Sequence, residues 1–267
     1  MHDALILDLF ADLALAAGKE TLKHFRDETL AVEHKSDASP VTVADRAAEA
    51  IILDGLKDHL PDIPVIAEEE AAAGRIPNID GERFILIDPL DGTREFVEGR
   101  SEYTINIALI EHGIPVIGAV FVPCQRVLYT GLRDHAEKIV YDKDWQVESR
   151  VPLKVVEPGE RLRIVASRSH STPKTEEFIA RHKQADLVSV GSSIKFCLIA
   201  SGEADLYPRF GPTMQWDTAA GDAVLRAAGG VTEREDGSVV RYGKREDCDK
   251  GGFSCTHFIA SSGHGRS

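Results

Sequence analysis

Residues 84–96 read Phe-Ile-Leu-Ile-Asp-Pro-Leu-Asp-Gly-Thr-Arg-Glu-Phe, and no other stretch leaves the chain so few options. Four apolar residues rich in isoleucine form a buried strand. That strand delivers two carboxylates, Asp88 and Asp91, three residues apart. Pro89 holds Asp88 out of helical backbone and brings no donor of its own. Gly92 permits a tight turn and close approach to a ligand. Thr93 can then open a short helix with free N–H groups. Carboxylates hold hard cations and a helix start holds phosphate, so together they suggest metal-assisted phosphoryl chemistry. The same residue types also make ordinary turns, and the rest of the chain has to decide.

Charge narrows the choice. Among 267 residues, 31 are Lys or Arg and 44 are Asp or Glu, a net charge of −13. Such a field repels nucleic acid polymers, and a phosphorylated ligand needs cations or a few placed Lys and Arg. Cys124, Cys197, Cys248 and Cys255 are scattered without a CxxC pair or zinc spacing. No signal peptide or membrane-spanning run is visible, so a reducing cytoplasmic setting is expected. The apolar face of the first helix could in principle lie peripherally on the cytoplasmic side of a membrane, but its flanks lack the basic residues of interfacial helices.

Residues 4–25 place Leu5, Leu9, Leu13, Ala16, Ala17 and Phe25 at helical spacing. A polar loop from Lys35 leads to a second helix marked by Ala47, Ala48, Ile51, Ile52 and Leu56. Thr42 and Asp45 have the spacing of a capping box, which accounts for Asp45 as readily as function does. Pro64–Ala67 is a short strand running into Glu68-Glu69-Glu70, which taken alone reads as a solvated acidic loop. Residues 103–111, 114–122 and 126–131 are strands with short connections, hence antiparallel. The charged segment 132–160 is expected to cover the passage between two halves. Beyond it, strands at 163–167, 186–190 and 204–207 alternate with helices at 173–182, 193–201 and 218–228. That rhythm argues for an α/β half with largely parallel pairing. The expected division is 1–155, 156–260 and a disordered tail, 261–267.

Asp217, in Gln215-Trp216-Asp217, stands where a helix begins and can be read simply as its N-cap. Taken together, however, Asp45, Glu68-Glu69, Asp88–Thr93 and Trp216–Gly221 resemble the magnesium-dependent, lithium-sensitive sugar-phosphatase superfamily, that of inositol monophosphatase. The resemblance covers residues 35 to 230, with all four segments in the family's order. Within the superfamily the chain is most similar to the 3′(2′),5′-bisphosphate nucleotidase branch. The stretches 36–42, 103–110, 167–170, 191–197 and 206–212 carry that similarity. The inositol monophosphatase branch usually lacks a counterpart of Lys195.

The resemblance implies an α/β fold, a layered αβαβα sandwich with an antiparallel sheet in the N-terminal half and a mixed one in the C-terminal half. It implies two to three Mg²⁺ ions. One is held by Glu68, Asp88 and the Leu90 carbonyl, a second by Asp88, Asp91 and Asp217, and a third by Glu68 and Asp45 through water. Asp45, Glu68 and Thr93 orient and deprotonate a water, while Gly92 and Thr93 fix the phosphate by their N–H groups. His170, Ser192, Lys195 and Arg209 are the expected contacts of a bisphosphate nucleotide; the alternative for Lys195 and Arg209 is that each belongs to a surface ion pair. The substrate implied is 3′-phosphoadenosine 5′-phosphate or 3′-phosphoadenylyl sulfate, and the protein a monomer or homodimer. An inositol or fructose-1,6-bisphosphate phosphatase shares the metal motif, and a non-catalytic nucleotide sensor is a more distant alternative. Haloacid-dehalogenase chemistry is disfavoured, since its two Asp residues stand two apart.

Overall fold

The computed structural model describes residues 2–27, 31–34, 40–79, 82–168, 171–243 and 252–263. Much of the loop from Lys35, His170, Cys248 and the end of the tail lie outside them.

Helix α1 (Asp3–His24) comes first, followed by the two-stranded ribbon β1 (Val32–His34) and β2 (Pro40–Thr42). Next are α2 (Val43–His59), β3 (Val65–Ala67), α3 (Glu68–Ala72), β4 (Arg83–Asp91) and α4 (Thr93–Val97). Five strands follow: β5 (Thr104–Glu111), β6 (Ile114–Val122), β7 (Val127–Leu132), β8 (His135–Tyr141) and β9 (Val147–Pro152). Strands β3 to β9 form one seven-stranded sheet in chain order, antiparallel except for the parallel pair β3–β4.

The rest of the chain comprises β10 (Arg163–Ser167), α5 (Pro173–Arg181), β11 (Asp186–Val190) and α6 (Ile194–Ala200). It continues with β12 (Leu206–Arg209), α7 (Ala219–Ala227), β13 (Val231–Glu233) and β14 (Phe258–Ser261). Their sheet has the order β11-β10-β12-β14-β13, parallel at β10–β11 and β10–β12 and antiparallel elsewhere.

Side-chain alternation builds the layers. In the large sheet Ile85, Ile87, Ile105, Ile107 and Phe121 face α1 and α2, while Phe84, Leu86, Ile110 and Val120 face α6 and α7. In the small sheet Val165, Tyr207 and Phe258 face the same two helices, and Ile164, Leu206 and Ile259 face α5. The stack is helix, sheet, helix, sheet, helix, as the layered sandwich requires. A shared core between the sheets therefore ties the two parts of the chain together. Helix α7 lies so close to the large sheet that a Cβ on Gly118 would stand 2.5 Å from the Ala220 carbonyl oxygen, and one on Gly131 would stand 2.7 Å from Val224 Cα.

Several expectations need correction. In α1 the buried stripe is Ile6, Phe10, Ala14 and Ala17, and Leu5 is 57% exposed. Apolar residues lie nearly all round that helix, so periodicity alone could not choose its face. Segment 132–160 is not just a covering passage, because it contains β8 and β9. Strand β9 is an exposed edge with no buried residue, which hid it. Strands β13 and β14 make the small sheet mixed rather than largely parallel, and Ser261, assigned to the tail, belongs to β14. The acidic run is no loop: Glu68, Glu69 and Glu70 open α3.

Candidate active site

The site starts where β4 breaks step. Its antiparallel register with β5 runs to Asp88 opposite Asn106, then resumes at Asp91 opposite Thr104, one residue longer on β4. Residues three apart on a regular strand point to opposite faces. The bulge at Pro89-Leu90 cancels that, and both carboxylates line the same cleft. The Leu90 N–H donates to Asp88 Oδ1 at 3.0 Å. Gly92 then turns the chain with φ of 95°, which favours glycine, and α4 begins at Thr93.

Thr93 connects this corner to α2. Its Oγ1 donates to Asp45 Oδ1 at 3.1 Å and lies 3.3 Å from the Leu90 carbonyl oxygen. Asp45 Oδ2 accepts from the Thr42 N–H and hydroxyl at 2.8 and 2.7 Å, and Ala44 N–H donates back to Thr42, completing the capping box. One Asp45 oxygen thus caps α2 and the other meets Thr93. Asp45 does not itself line the cleft; it reaches it through Thr93.

Glu68 enters the cleft from the first turn of α3. Sequence reasoning missed what holds that turn: buried Glu49, whose carboxylate accepts from the Glu69 and Glu70 N–H groups at 2.8 and 3.0 Å. The stripe Ala44, Ala48, Ile52 and Leu56 carries Glu49 inward beside it. A charged residue next to a helical apolar stripe was the available signal. Burial, with Glu69 and Glu70 adding their charge, pushes the Glu49 carboxyl up to about 7.

The opposite wall comes from the small-sheet part. Asp217 is not a helix cap: its Oδ2 accepts from Thr213 Oγ1 at 2.7 Å and Met214 N–H at 2.9 Å, in the loop before it. Lys195 is only 3% exposed, which removes the surface ion-pair reading. Its ammonium donates to the carbonyls of Ser192 and Val190 and sits 5.1 Å from the Tyr207 ring centre. Buried Arg209 donates to the Pro212 carbonyl at 2.7 Å, and its Nε has no hydrogen-bond partner. Ser192 also lines the cleft, at φ of 47°, with a buried hydroxyl that lacks a partner. The neighbouring Ser193 was not anticipated, yet it is the better connected of the two. His170 lies outside the described residues.

These walls enclose a cleft of about 610 Å³. Burial, then the charges of Glu68, Asp91 and Asp217, hold the Asp88 carboxyl well above the usual range. Burial and Asp217 push Asp91 up to about 6, opposed by Lys195 and the Ser193 hydroxyl. Burial and Glu68 push Asp217 to about 6 as well. Burial lowers Lys195 to about 8, with Asp91 holding it up and Arg209 pressing it down. Among the described residues no three carboxylate, histidine or cysteine side chains already form a closed coordination set. The donors are nevertheless the right kind: carboxylate oxygens of Glu68, Asp88, Asp91 and Asp217, with mutual repulsion that a divalent cation relieves. The residues present fit a hard cation such as Mg²⁺.

Comparison with known proteins agrees. The model of the inositol monophosphatase family matches residues 5–257. The chain is 39% identical over 249 residues to the 3′(2′),5′-bisphosphate nucleotidase CysQ of Escherichia coli K12, covering 93% of this chain and 98% of that one. The CysQ nucleotidase of Salmonella typhimurium is 40% identical over 253 residues, 94% and 99% of the two chains. Among solved structures, CysQ from Bacteroides thetaiotaomicron superimposes with a TM-score of 0.80 at 35% identity, covering 97% of each chain. An inositol monophosphatase from Anabaena shares the fold at a TM-score of 0.73 and 24% identity, covering 97% of this chain and 91% of that one. No described helix is long and apolar enough to cross a membrane.

Proposed function

The chain belongs to the inositol monophosphatase family, and from that premise we propose that it is a Mg²⁺-dependent 3′(2′),5′-bisphosphate nucleotidase. It removes the 3′-phosphate of 3′-phosphoadenosine 5′-phosphate or 3′-phosphoadenylyl sulfate, leaving AMP or adenylyl sulfate. One observation carries the reading: five carboxylates from three segments, Glu68, then Asp88, Asp91 and Glu95, then Asp217, share a cleft with two buried cations, Lys195 and Arg209.

Glu68, Asp88 and the Leu90 carbonyl would hold one ion, and Asp88, Asp91 and Asp217 a second. Glu68 and Asp45 would hold a third through water. Bound divalent ions acidify water and neutralise charge on the phosphate and the departing oxygen. The chain's own groups do the rest. Thr93 Oγ1 gives its proton to the hydrogen bond with Asp45, so its lone pairs are left to accept from a water. As that water attacks phosphorus, its proton passes to Thr93 while the Thr93 proton moves to Asp45. The P–O bond to the ribose breaks on the far side, and the 3′-oxygen keeps the bonding pair and takes its proton from solvent water. The N–H groups of Gly92 and Thr93 hold the transferring phosphate in place. Lys195 and Arg209 receive the 5′-phosphate, the feature that separates this site from one built for a monophosphate.

Phosphate release across nucleotide, inositol and sugar phosphates, with Mg²⁺ and with or without Li⁺, tests the reading. Bisphosphate nucleotides are expected to lead, with Li⁺ inhibiting. Preference for an inositol or fructose phosphate would replace the substrate, and binding without turnover would make the protein a sensor. Asp88→Asn is expected to lower kcat by more than about 1,000-fold with the fold intact; near-normal turnover would disprove the metal assignment. Lys195→Ala is expected to raise KM for the bisphosphate at least about tenfold more than for a monophosphate. Equal losses on both would exclude Lys195 as the 5′-phosphate contact.

A further inference from the structure

Ser193 occupies the N-cap position of α6, where a serine ordinarily accepts from the helix's first N–H groups. Here its side chain makes no capping bond. It is 2% exposed and reaches two groups of the cleft wall and one behind it instead. Asn106 Nδ2, on β5, donates to its Oγ at 2.9 Å. The hydroxyl in turn lies 2.8 Å from Asp91 Oδ2, at the end of β4, and within hydrogen-bond distance of the Asp217 main-chain carbonyl.

The chemistry of these partners fixes the direction of each bond. An amide NH₂ can only donate, so Ser193 accepts from Asn106 and has one proton left. That one proton is shared between the Asp91 carboxylate and the Asp217 carbonyl in a three-centre bond. One hydroxyl therefore ties the carboxylate of Asp91, on the large sheet, to the backbone that carries Asp217, on the small-sheet part. Among the described residues no other hydrogen-bonding group joins both positions, although the Lys195 ammonium attracts both carboxylates. Their charges repel, so without a tie the gap between them would widen.

We propose that Ser193, held by Asn106, is a positioning residue: it sets the separation of Asp91 and Asp217 and so the affinity of the divalent ion they share. The inference rests on the reading that these two residues hold a cation. It adds that a hydroxyl touching neither substrate nor the reacting atoms governs how tightly that cation binds.

The test is Mg²⁺ binding measured by calorimetry on the purified full chain, wild type against Ser193→Ala and Ser193→Thr, with folding followed by circular dichroism. The wild type should bind Mg²⁺. Ser193→Ala should weaken the affected class of site about tenfold, as loss of a hydrogen bond to a charged group implies. Ser193→Thr, which keeps the hydroxyl, should stay within about threefold. At saturating Mg²⁺, Ser193→Ala should recover most of its kcat, with KM for the nucleotide unchanged. Unaltered Mg²⁺ affinity in Ser193→Ala overturns the proposal, as does equal weakening in the Ala and Thr variants. If Ser193→Ala does not fold, Asn106→Ala carries the test: it should weaken Mg²⁺ binding about threefold, and unaltered binding overturns the proposal. A wild type that binds no Mg²⁺ would instead overturn the metal reading beneath it, so the two failures are distinguishable.

Discussion

Glu49 illustrates how a single side chain far from the reacting atoms shapes this site. It gives α3 the acceptor that its first turn lacks, and Glu68 is the residue immediately before the two N–H groups it holds. Glu49→Ala leaves those donors without their buried partner and should cost about 1–3 kcal/mol, read from urea unfolding. The Mg²⁺ concentration needed for half-maximal activity should rise with it. Its titration has a definite sign. The folded carboxyl sits at about 7 against an ordinary 4.5, so its contribution is fully present below 4.5 and fades as pH rises through 7. The melting temperature of the wild type should therefore fall from pH 5 to pH 8 more steeply than that of Glu49→Gln. Parallel curves would show that Glu49 is not the group responsible.

At the scale of elements, the active site depends on how closely α7 approaches the large sheet. Asp217 lies just before α7, and α7 crosses β6 and β7 at Gly118 and Gly131. A methyl group at Gly118 would meet backbone oxygen at 2.5 Å, which no rotamer change relieves. Gly118→Ala is expected to destabilise by about 1–3 kcal/mol and to lower kcat as Asp217 is pushed out of place. Gly159→Ala meets nothing within 4 Å and is the matched control, expected within about 0.5 kcal/mol of wild type. Equal stability of the two variants in urea would refute this account of the packing. The strand into Asp88, the turn at Gly92 and the helix opening at Thr93 were legible because Pro, Gly and Thr leave distinctive marks, whereas the bulge at Pro89-Leu90 shows only in the strand register. Strand β9 was not, because an exposed edge needs no apolar pattern.

For the whole molecule, acidity is a cost that cations offset. Burial raises the Asp88, Asp91 and Asp217 carboxyls, so in metal-free protein each favours the folded state at low pH and loses that contribution as pH rises, for Asp91 and Asp217 through about 6. With a chelator present, the melting temperature should decline between pH 4 and pH 7. Mg²⁺ at about a hundred times its Kd should restore about 2.7 kcal/mol at pH 7.5 and much less at pH 5, measured by scanning calorimetry. A Mg²⁺ effect independent of pH would show that these carboxyls do not bind it. The net charge of −13 makes the two buried cationic side chains in the cleft, Lys195 and Arg209, the more telling.

Helices α1 and α2, strands β4 to β7, the delivery of Asp88 and Asp91 by a buried strand, and the pairing of Thr42 with Asp45 were written in local sequence, because backbone preference and side-chain period act over a few residues. Which acids face one another was not. Asp91 and Asp217 meet only because two sheets share a core, and Lys195 is buried only because α6 packs between them. The roles of Glu49, Asn106 and Ser193 likewise arise from contacts between segments distant along the chain. No short-range pattern encodes such contacts; packing alone decides them.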